Sequence, residues 1–98
     1  MSTESRVYPP NKSCITRLEN VINALKQELN LVPEYFEPAF RSGVMVHYKV
    51  GDFKIFLEGY NWDRDITVLV TKNKRRVYIE VIEVSEVFPV IFKLLKGE

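Results

Sequence analysis

The carboxylates Asp65 and Glu80 come closest, in type and spacing, to a catalytic arrangement in this chain. Asp65 begins one apolar segment and Glu80 lies within the next, in the stretch DITVLVTKNKRRVYIEVIE. Side chains on paired antiparallel strands share a face when their positions match in register. A one-to-one pairing of the two segments predicts that Asp65, Glu80 and Ile82 lie on one side of a hairpin.

The same stretch resembles the metal-binding hairpin of the PD-(D/E)xK nucleases, in which an Asp opens one strand and the next strand carries Glu-x-Lys. The resemblance covers about a fifth of the chain, and Ile82 stands where that family has its lysine. The resemblance therefore implies a degenerate nuclease hairpin that has lost its activity.

The other reactive side chains are isolated in the sequence. His47 is the only histidine and Cys14 the only cysteine, so an internal disulfide and a cluster of thiolate ligands are excluded. A lone histidine without carboxylates around it makes neither a metal site nor a general base with a partner. We therefore predict a protein that is not an enzyme, with no catalytic residue, metal, cofactor or small-molecule substrate.

The amino-acid composition restricts the expected cellular compartment and the expected classes of binding partner. Fourteen basic against thirteen acidic residues leave a net charge of +1, which predicts no strong general attraction to nucleic acid or to an anionic membrane. No segment approaches the ~18 apolar residues of a membrane span, and the first twelve residues lack the apolar run of a signal peptide. With a single cysteine, these features favour a cytoplasmic protein that binds no membrane.

One short segment is locally basic. The four cations lie in a predicted hairpin turn: Lys72, Lys74, Arg75 and Arg76. A protruding basic turn can contact phosphates, and the nearby Tyr78 could stack on a base. A nucleic-acid-binding module is therefore the alternative function, with a solvated turn as the simpler interpretation.

Four strand-like segments between Gly43 and Val84 keep one side-chain alternation through every turn. Gly51-Asp52 suits a two-residue hairpin turn, and pairing outward from each turn lines up the same cross-strand rows. The row predicted to face the core is Val46, Leu57, Val68 and Ile79. The neighbouring row, on the other face, is His47, Phe56, Leu69 and Tyr78.

Amphipathic segments flank the strands. Ser13 is predicted to cap a helix from about Cys14 to Leu29, with the apolar stripe Ile15, Leu18, Val21, Ile22, Leu25 and Leu29. Ser85 is predicted to cap a second helix. Pro33 could start a short helix in the connector, residues 30–43, whose aromatics Tyr35, Phe36 and Phe40 would close one end of the core.

Together these elements predict an α+β fold. It is a two-layer sandwich in the order helix, short helix or loop, four-stranded antiparallel meander, helix, with both helices on one sheet face. Residues 1–12 are predicted to be a flexible tail, and residues 13–98 a single domain.

The uncovered sheet face is predicted to bind a partner because it is more apolar than a solvated face. Its predicted contact residues are Met45, Phe56, Tyr60, Leu69, Tyr78 and Ile82. The favoured function is a small protein-interaction module or accessory subunit, binding itself as a homodimer or docking on a larger protein. Trp62 is expected either to join that contact or to cap the end of the sheet.

Overall fold

A computed structural model describes residues 11–39 and 42–97 of the chain. Its elements are α1 (Lys12–Leu29), β1 (Tyr35–Pro38), β2 (Val44–Val50), β3 (Phe53–Gly59), β4 (Ile66–Lys72), β5 (Arg75–Ile82) and α2 (Val84–Lys96). The predicted α+β architecture is confirmed, with five strands in place of four. Positions 1–10 of the predicted tail lie outside the described residues, whereas Lys12 already belongs to α1.

Helix α1 begins two residues earlier than the sequence predicts. Its N-cap is Asn11, whose side-chain oxygen accepts a hydrogen bond from the backbone N–H of Cys14 at 2.8 Å, so the expected cap Ser13 lies inside the helix. The residues buried on α1 are Cys14, Leu18, Val21 and Leu25. Ile15 is 40% exposed, because the buried stripe is centred one residue away from the predicted one.

Helix α2 also starts before its predicted cap. Glu83 occupies the N-cap position, and its backbone N–H donates to the side chain of Glu86 at 3.3 Å. Val87 and Ile91 are the buried residues of this helix, and Gly97 ends it with a positive φ of 81°. Ser85 therefore lies within α2 rather than before it.

The five strands form one antiparallel meander in the order β1-β2-β3-β4-β5. The predicted pairs Val46–Leu57 and Leu57–Val68 are observed, so the register of the three central strands is confirmed. Gly51 has the positive φ of 60° that the expected Gly51-Asp52 turn requires.

Strand β5 departs from the predicted register. The turn through Asn73 and Lys74 pairs Lys72 with Arg75 as expected, but a β-bulge follows, and beyond it Val70 pairs with Tyr78 and Leu69 with Ile79. A bulge adds one unpaired residue to one strand, here Val77, and so exchanges the faces of all residues that follow. Tyr78, Glu80 and Ile82 therefore lie on the side of the core, and Ile79 on the opposite side.

Strand β1 replaces the short helix that the connector predicts. It pairs with β2 at the sheet edge, where Pro38 costs no hydrogen bond because one side of an edge strand has no neighbour. Tyr35 is 50% and Phe36 56% exposed, so these aromatics do not close the core as expected. Phe40, the third aromatic of that prediction, lies outside the described residues.

Both helices pack on one side of the sheet, α1 against β3 and α2 against β4, and they contact each other. The core between the layers contains Val46, Tyr48, Ile55, Leu57, Ile66, Val68 and Val70 from the sheet. Gly59 allows α1 to approach closely, since a Cβ there would lie 2.8 Å from Cδ1 of Leu18. None of the described residues forms a layer over the other side of the sheet, which we call the open face.

Candidate interaction surface

One row of apolar and aromatic side chains crosses the open face on all five strands. The row consists of Tyr35, His47, Phe56, Leu69 and Ile79, which are consecutive cross-strand partners. We call it the apolar row. Tyr35 and Ile79, at its two ends, are 50% and 48% exposed. Apolar side chains at adjacent register positions touch, so this row is a continuous band rather than scattered residues.

The bulge in β5 makes this face more apolar than the sequence predicts. Ile79 pairs with Leu69 and Val81 with Thr67, so both join the open face, where Val81 is 53% exposed. Tyr78 and Ile82, two of the predicted contact residues, are on the core side instead, so their predicted placement on the open face is wrong. The predicted residues Met45, Phe56 and Leu69 do lie on the open face.

His47 is held in the apolar row by three neighbours. Its ring stacks on Tyr35 with centroids 4.1 Å apart, and it meets the ring of Phe56 edge-on at 4.8 Å. Its Nε2 lies 2.5 Å from Oε2 of Glu37, a contact that the sequence analysis missed because it did not predict β1. Tyr35 and Phe36 are residue types that favour strands, and side chains alternate between the two faces from Tyr35 to Glu37. This was the one signal for β1 in the sequence.

Carboxylates and aromatics mark one end of the open face. Glu37 and Glu58 flank Met45 on neighbouring strands, in the row beside the apolar row. The hydroxyl of Tyr60 donates to Oε1 of Glu58 at 2.9 Å, and Trp62 stacks on Tyr60 with centroids 4.8 Å apart. We call this region the acidic end. Burial, together with the hydrogen bond to Glu58 and the charge of that residue, raises the pKa of Tyr60 to about 12, so the hydroxyl remains a donor well above neutral pH.

A basic helix residue fixes the loop that carries Trp62. The guanidinium of Arg17 on α1 donates to the carbonyl oxygens of Tyr60 at 2.8 Å and of Asp63 at 2.6 Å. Charge-assisted hydrogen bonds of this kind hold a loop more firmly than neutral ones. Trp62 is nevertheless 62% exposed, so it does not cap the sheet by burial.

A depression of about 280 Å³ lies between the apolar row and the acidic end. Its lining is Glu37, Met45, His47, Phe56, Glu58, Thr67, Leu69 and Ile79. Pockets for small ligands usually hold about 300 to 1,000 Å³, so this depression is at the lower limit of that range. An apolar floor with two carboxylates at its side suits a single long cationic side chain such as lysine or arginine.

Cations mark the opposite end of the open face. Lys49 and Lys54 are directly paired, Lys54 is paired with Thr71, and Thr71 is paired with Arg76. We call the residues Lys49, Lys54 and Arg76 the basic row. None of the three forms an ion pair with any residue that the structure describes.

The predicted basic turn lies at this same end. The backbone N–H of Asn73 donates to the carbonyl of Asp52 at 3.1 Å, which brings the β4–β5 turn beside the β2–β3 turn. Its four predicted contact residues are all exposed: Lys72, Lys74, Arg75 and Arg76. Lys72 lies over the ring of Phe53 at 5.2 Å. Tyr78 is on the core side of the sheet, so it does not extend this basic end along the open face.

The arrangement expected for a nuclease-like hairpin is absent. Glu80 pairs with Val68 and so lies on the core side, whereas the alternation of β4 places position 65 on the side of Thr67. The prediction that Asp65 lies on the same face as Glu80 and Ile82 is therefore wrong. Within residues 11–39 and 42–97, no three histidine, cysteine, aspartate or glutamate side chains are grouped so as to hold a metal ion.

Cys14 lies on the buried face of α1, and burial raises the pKa of its thiol, which keeps the thiol protonated at neutral pH. No helix in the described part of the chain has both the length and the apolar character needed to cross a membrane.

Comparison of the chain with protein-family models, with curated proteins and with solved structures gave no match.

Proposed function

We propose that this chain is a non-enzymatic protein-interaction module, an accessory subunit whose open face binds a protein surface. The observation that carries the proposal is the apolar row, which crosses all five strands and is half exposed at both ends. Soluble monomers rarely leave a contiguous apolar band of this kind in water, and such bands mark binding sites. A cytoplasmic setting is part of the proposal, because the only cysteine of the chain is free and buried.

The composition of the face supports protein rather than small-molecule binding. Aromatic residues and methionine are typical of the centres of protein interfaces, and Tyr35, Phe56 and Met45 supply them here. Charged groups stand at the two ends, as in a polar rim around an apolar centre. The depression is at the lower limit of the volume of ligand pockets, and it can hold one side chain of a partner.

Substitution of Ile79 by Asp tests the proposal. Ile79 is 48% exposed, so the substitution places a charge in the apolar row at little cost to folding. The matched control is Phe92→Asp, at a residue of α2 that is 39% exposed in the other layer. A protein captured from the native cell by the wild-type chain and by the control should be lost with Ile79→Asp. A partner that Ile79→Asp retains, or that only Phe92→Asp loses, would contradict the proposal.

A second candidate is a nucleic-acid-binding module. It is supported by the close approach of the two hairpin turns, which places Lys49 and Lys54 near the four cations of the β4–β5 turn. Six cations at one end can contact several phosphates even though the net charge of the chain is +1.

Binding of a labelled oligonucleotide at two salt concentrations tests this candidate. Reversal of Lys74 and Arg75 to Glu should abolish binding, and affinity for wild type should fall steeply with salt because released counterions drive the association. If the reversed chain binds as tightly as the wild type, the candidate is eliminated.

A further inference from the structure

We infer that the occupant of the open face is a second copy of this chain, bound face to face with a two-fold axis along the apolar row. This inference rests on the proposed function and names its partner. Its basis is the distribution of charge on the face, where the basic row lies on one side of the apolar row and the acidic end on the other.

The two-fold axis exchanges the two sides of the apolar row. On β3, Lys54 and Glu58 are each two residues from Phe56, so they lie on one face at equal distances from the row. Rotation by 180° about the row brings Lys54 of one protomer over Glu58 of its partner, and the second such pair follows by symmetry. An isologous interface requires this kind of self-complementary surface.

The isolated chain leaves a like-charge pair that a partner would neutralise. Lys49 and Lys54 are directly opposed on β2 and β3, an arrangement that destabilises a sheet. The structure provides no carboxylate of the described chain for either ammonium group. In the dimer Lys54 lies over Glu58 of the other protomer, and Lys49 lies over Met45, which Glu37 and Glu58 flank on the neighbouring strands.

The depression at the acidic end accommodates such a side chain. It lies between the apolar row and Glu58, where the stem of a lysine can cover the rings while its ammonium reaches a carboxylate. Tyr60 and Trp62 extend this end with stacked rings, which also attract cations. The basic row and the acidic end are therefore complementary in shape as well as in charge.

Other arrangements of two copies fit the surface less well. A two-fold axis parallel to the strands would place the basic row over its own copy, and like charges in contact oppose association. Pairing of two β5 edges would leave the apolar row exposed. The outward residues, three on each of β2 to β5 and two on β1, span roughly 20 by 15 Å, which corresponds to a small interface, so we expect a weak, reversible dimer.

Two single charge reversals and their mixture test the inference. Lys54→Glu places two acidic residues opposite each other in the homodimer, and Glu58→Lys places two basic ones there. Sedimentation should show a concentration-dependent dimer for wild type and a dissociation constant raised roughly tenfold or more for each variant alone. An equimolar mixture of the two variants should recover wild-type association, because every pair across that heterodimer is of opposite charge.

Controls separate this result from general charge effects and from misfolding. Lys26→Glu and Glu19→Lys reverse exposed charges on α1, in the other layer, and should leave dimerisation unchanged alone and when mixed. Circular dichroism of Lys54→Glu and Glu58→Lys should match the monomeric wild type. In thermal unfolding, Lys54→Glu should be slightly more stable because it relieves the repulsion from Lys49, and Glu58→Lys slightly less stable because Tyr60 loses its acceptor.

Each remaining outcome overturns the inference. A wild-type chain that stays monomeric at the highest attainable concentration excludes the dimer, and the proposed function survives if a captured partner is still sensitive to Ile79→Asp. A wild-type dimer that the single reversals leave intact uses another surface. Variants that weaken the dimer but do not rescue each other exclude the two-fold arrangement.

Discussion

Tyr48 carries a polar group in an unfavourable place. The side chain is only 2% exposed, and its hydroxyl finds no hydrogen-bond partner among the described residues. A buried hydroxyl without a partner loses its hydration and gains nothing in return. We expect Tyr48→Phe to increase the free energy of unfolding by about 1 kcal/mol, measured by urea denaturation. A decrease would mean that the hydroxyl has a favourable contact in solution.

The same residue gives a prediction for pH. Burial raises the pKa of Tyr48 from 10.0 to about 12, because the core disfavours the phenolate. The folded protein therefore keeps a proton that the unfolded chain has lost between these values, and stability falls as the pH rises above 10. Unfolding measured between about pH 9 and about pH 11 should show a shallower loss of stability in Tyr48→Phe than in wild type. Tyr60, whose pKa is also raised to about 12, contributes equally to both proteins.

At the scale of the element, the bulge in β5 determines which side chains form the open face. Because Val77 is the residue without a partner, its deletion should remove the bulge and leave the pairs Val70–Tyr78 and Leu69–Ile79 in place. We expect the shortened chain to fold, with a free energy of unfolding within about 1 kcal/mol of wild type. Amide exchange along β5 should show the same protected residues.

Deletion of Ile79 is the matched control for that experiment. It also shortens β5 by one residue, but it retains the bulge and moves Glu80 into the apolar row opposite Leu69. Ile82 would leave the core side, so we expect a loss of several kcal/mol or failure to fold. Equal effects of the two deletions would show that the bulge does not set the register.

The strands differ in how far their sequence determines their pairing. The two-residue turn Gly51-Asp52 fixes the register of β2 against β3, and the matching side-chain alternation of β3 and β4 indicates their register across residues 60–65; there the prediction was correct. In β5 the two faces of the strand are similarly apolar, because Ile79 and Val81 lie on one face and Tyr78 and Ile82 on the other. The periodicity of apolar residues therefore cannot reveal the extra residue of a bulge. The edge strand β1 was missed because Pro38 argues against a strand unless its position at the edge is known.

The residues of the open face were predictable only in part, because some of them lie on strands whose pairing the sequence does not determine. Phe56 and Leu69 lie on strands whose register was predicted correctly from their alternation, so the apolar centre of the face could be predicted from them. Glu37 and Ile79 depend on β1 and on the bulge, which are set by tertiary packing. The contact of His47 with Glu37, and the place of Glu37 in the acidic end, could therefore not be predicted from spacing alone.

At the scale of the whole molecule, a net charge of +1 conceals a marked separation of charge. The hairpin turns and the basic row concentrate cations at one end of the sheet, while Glu37 and Glu58 occupy the other end of the open face. A surface of this polarity attracts a second copy turned end for end and repels one in the same orientation. In the inferred dimer, the separated charges thus determine the relative orientation of the two copies, and the apolar row contributes most of the buried area.

The contribution of charge to the dimer predicts its response to salt. Screening shortens the Debye length from about 10 Å at 0.1 M to about 3 Å at 1 M, so the attraction between the basic row and the acidic end should weaken. We expect sodium chloride to raise the dissociation constant several-fold over this range, measured by sedimentation. The doubly reversed chain, Lys54→Glu with Glu58→Lys, restores opposite charges and should follow the same salt dependence. An interface held by apolar contact alone would keep or tighten its affinity as salt increases, and that result would remove the electrostatic basis of the two-fold arrangement.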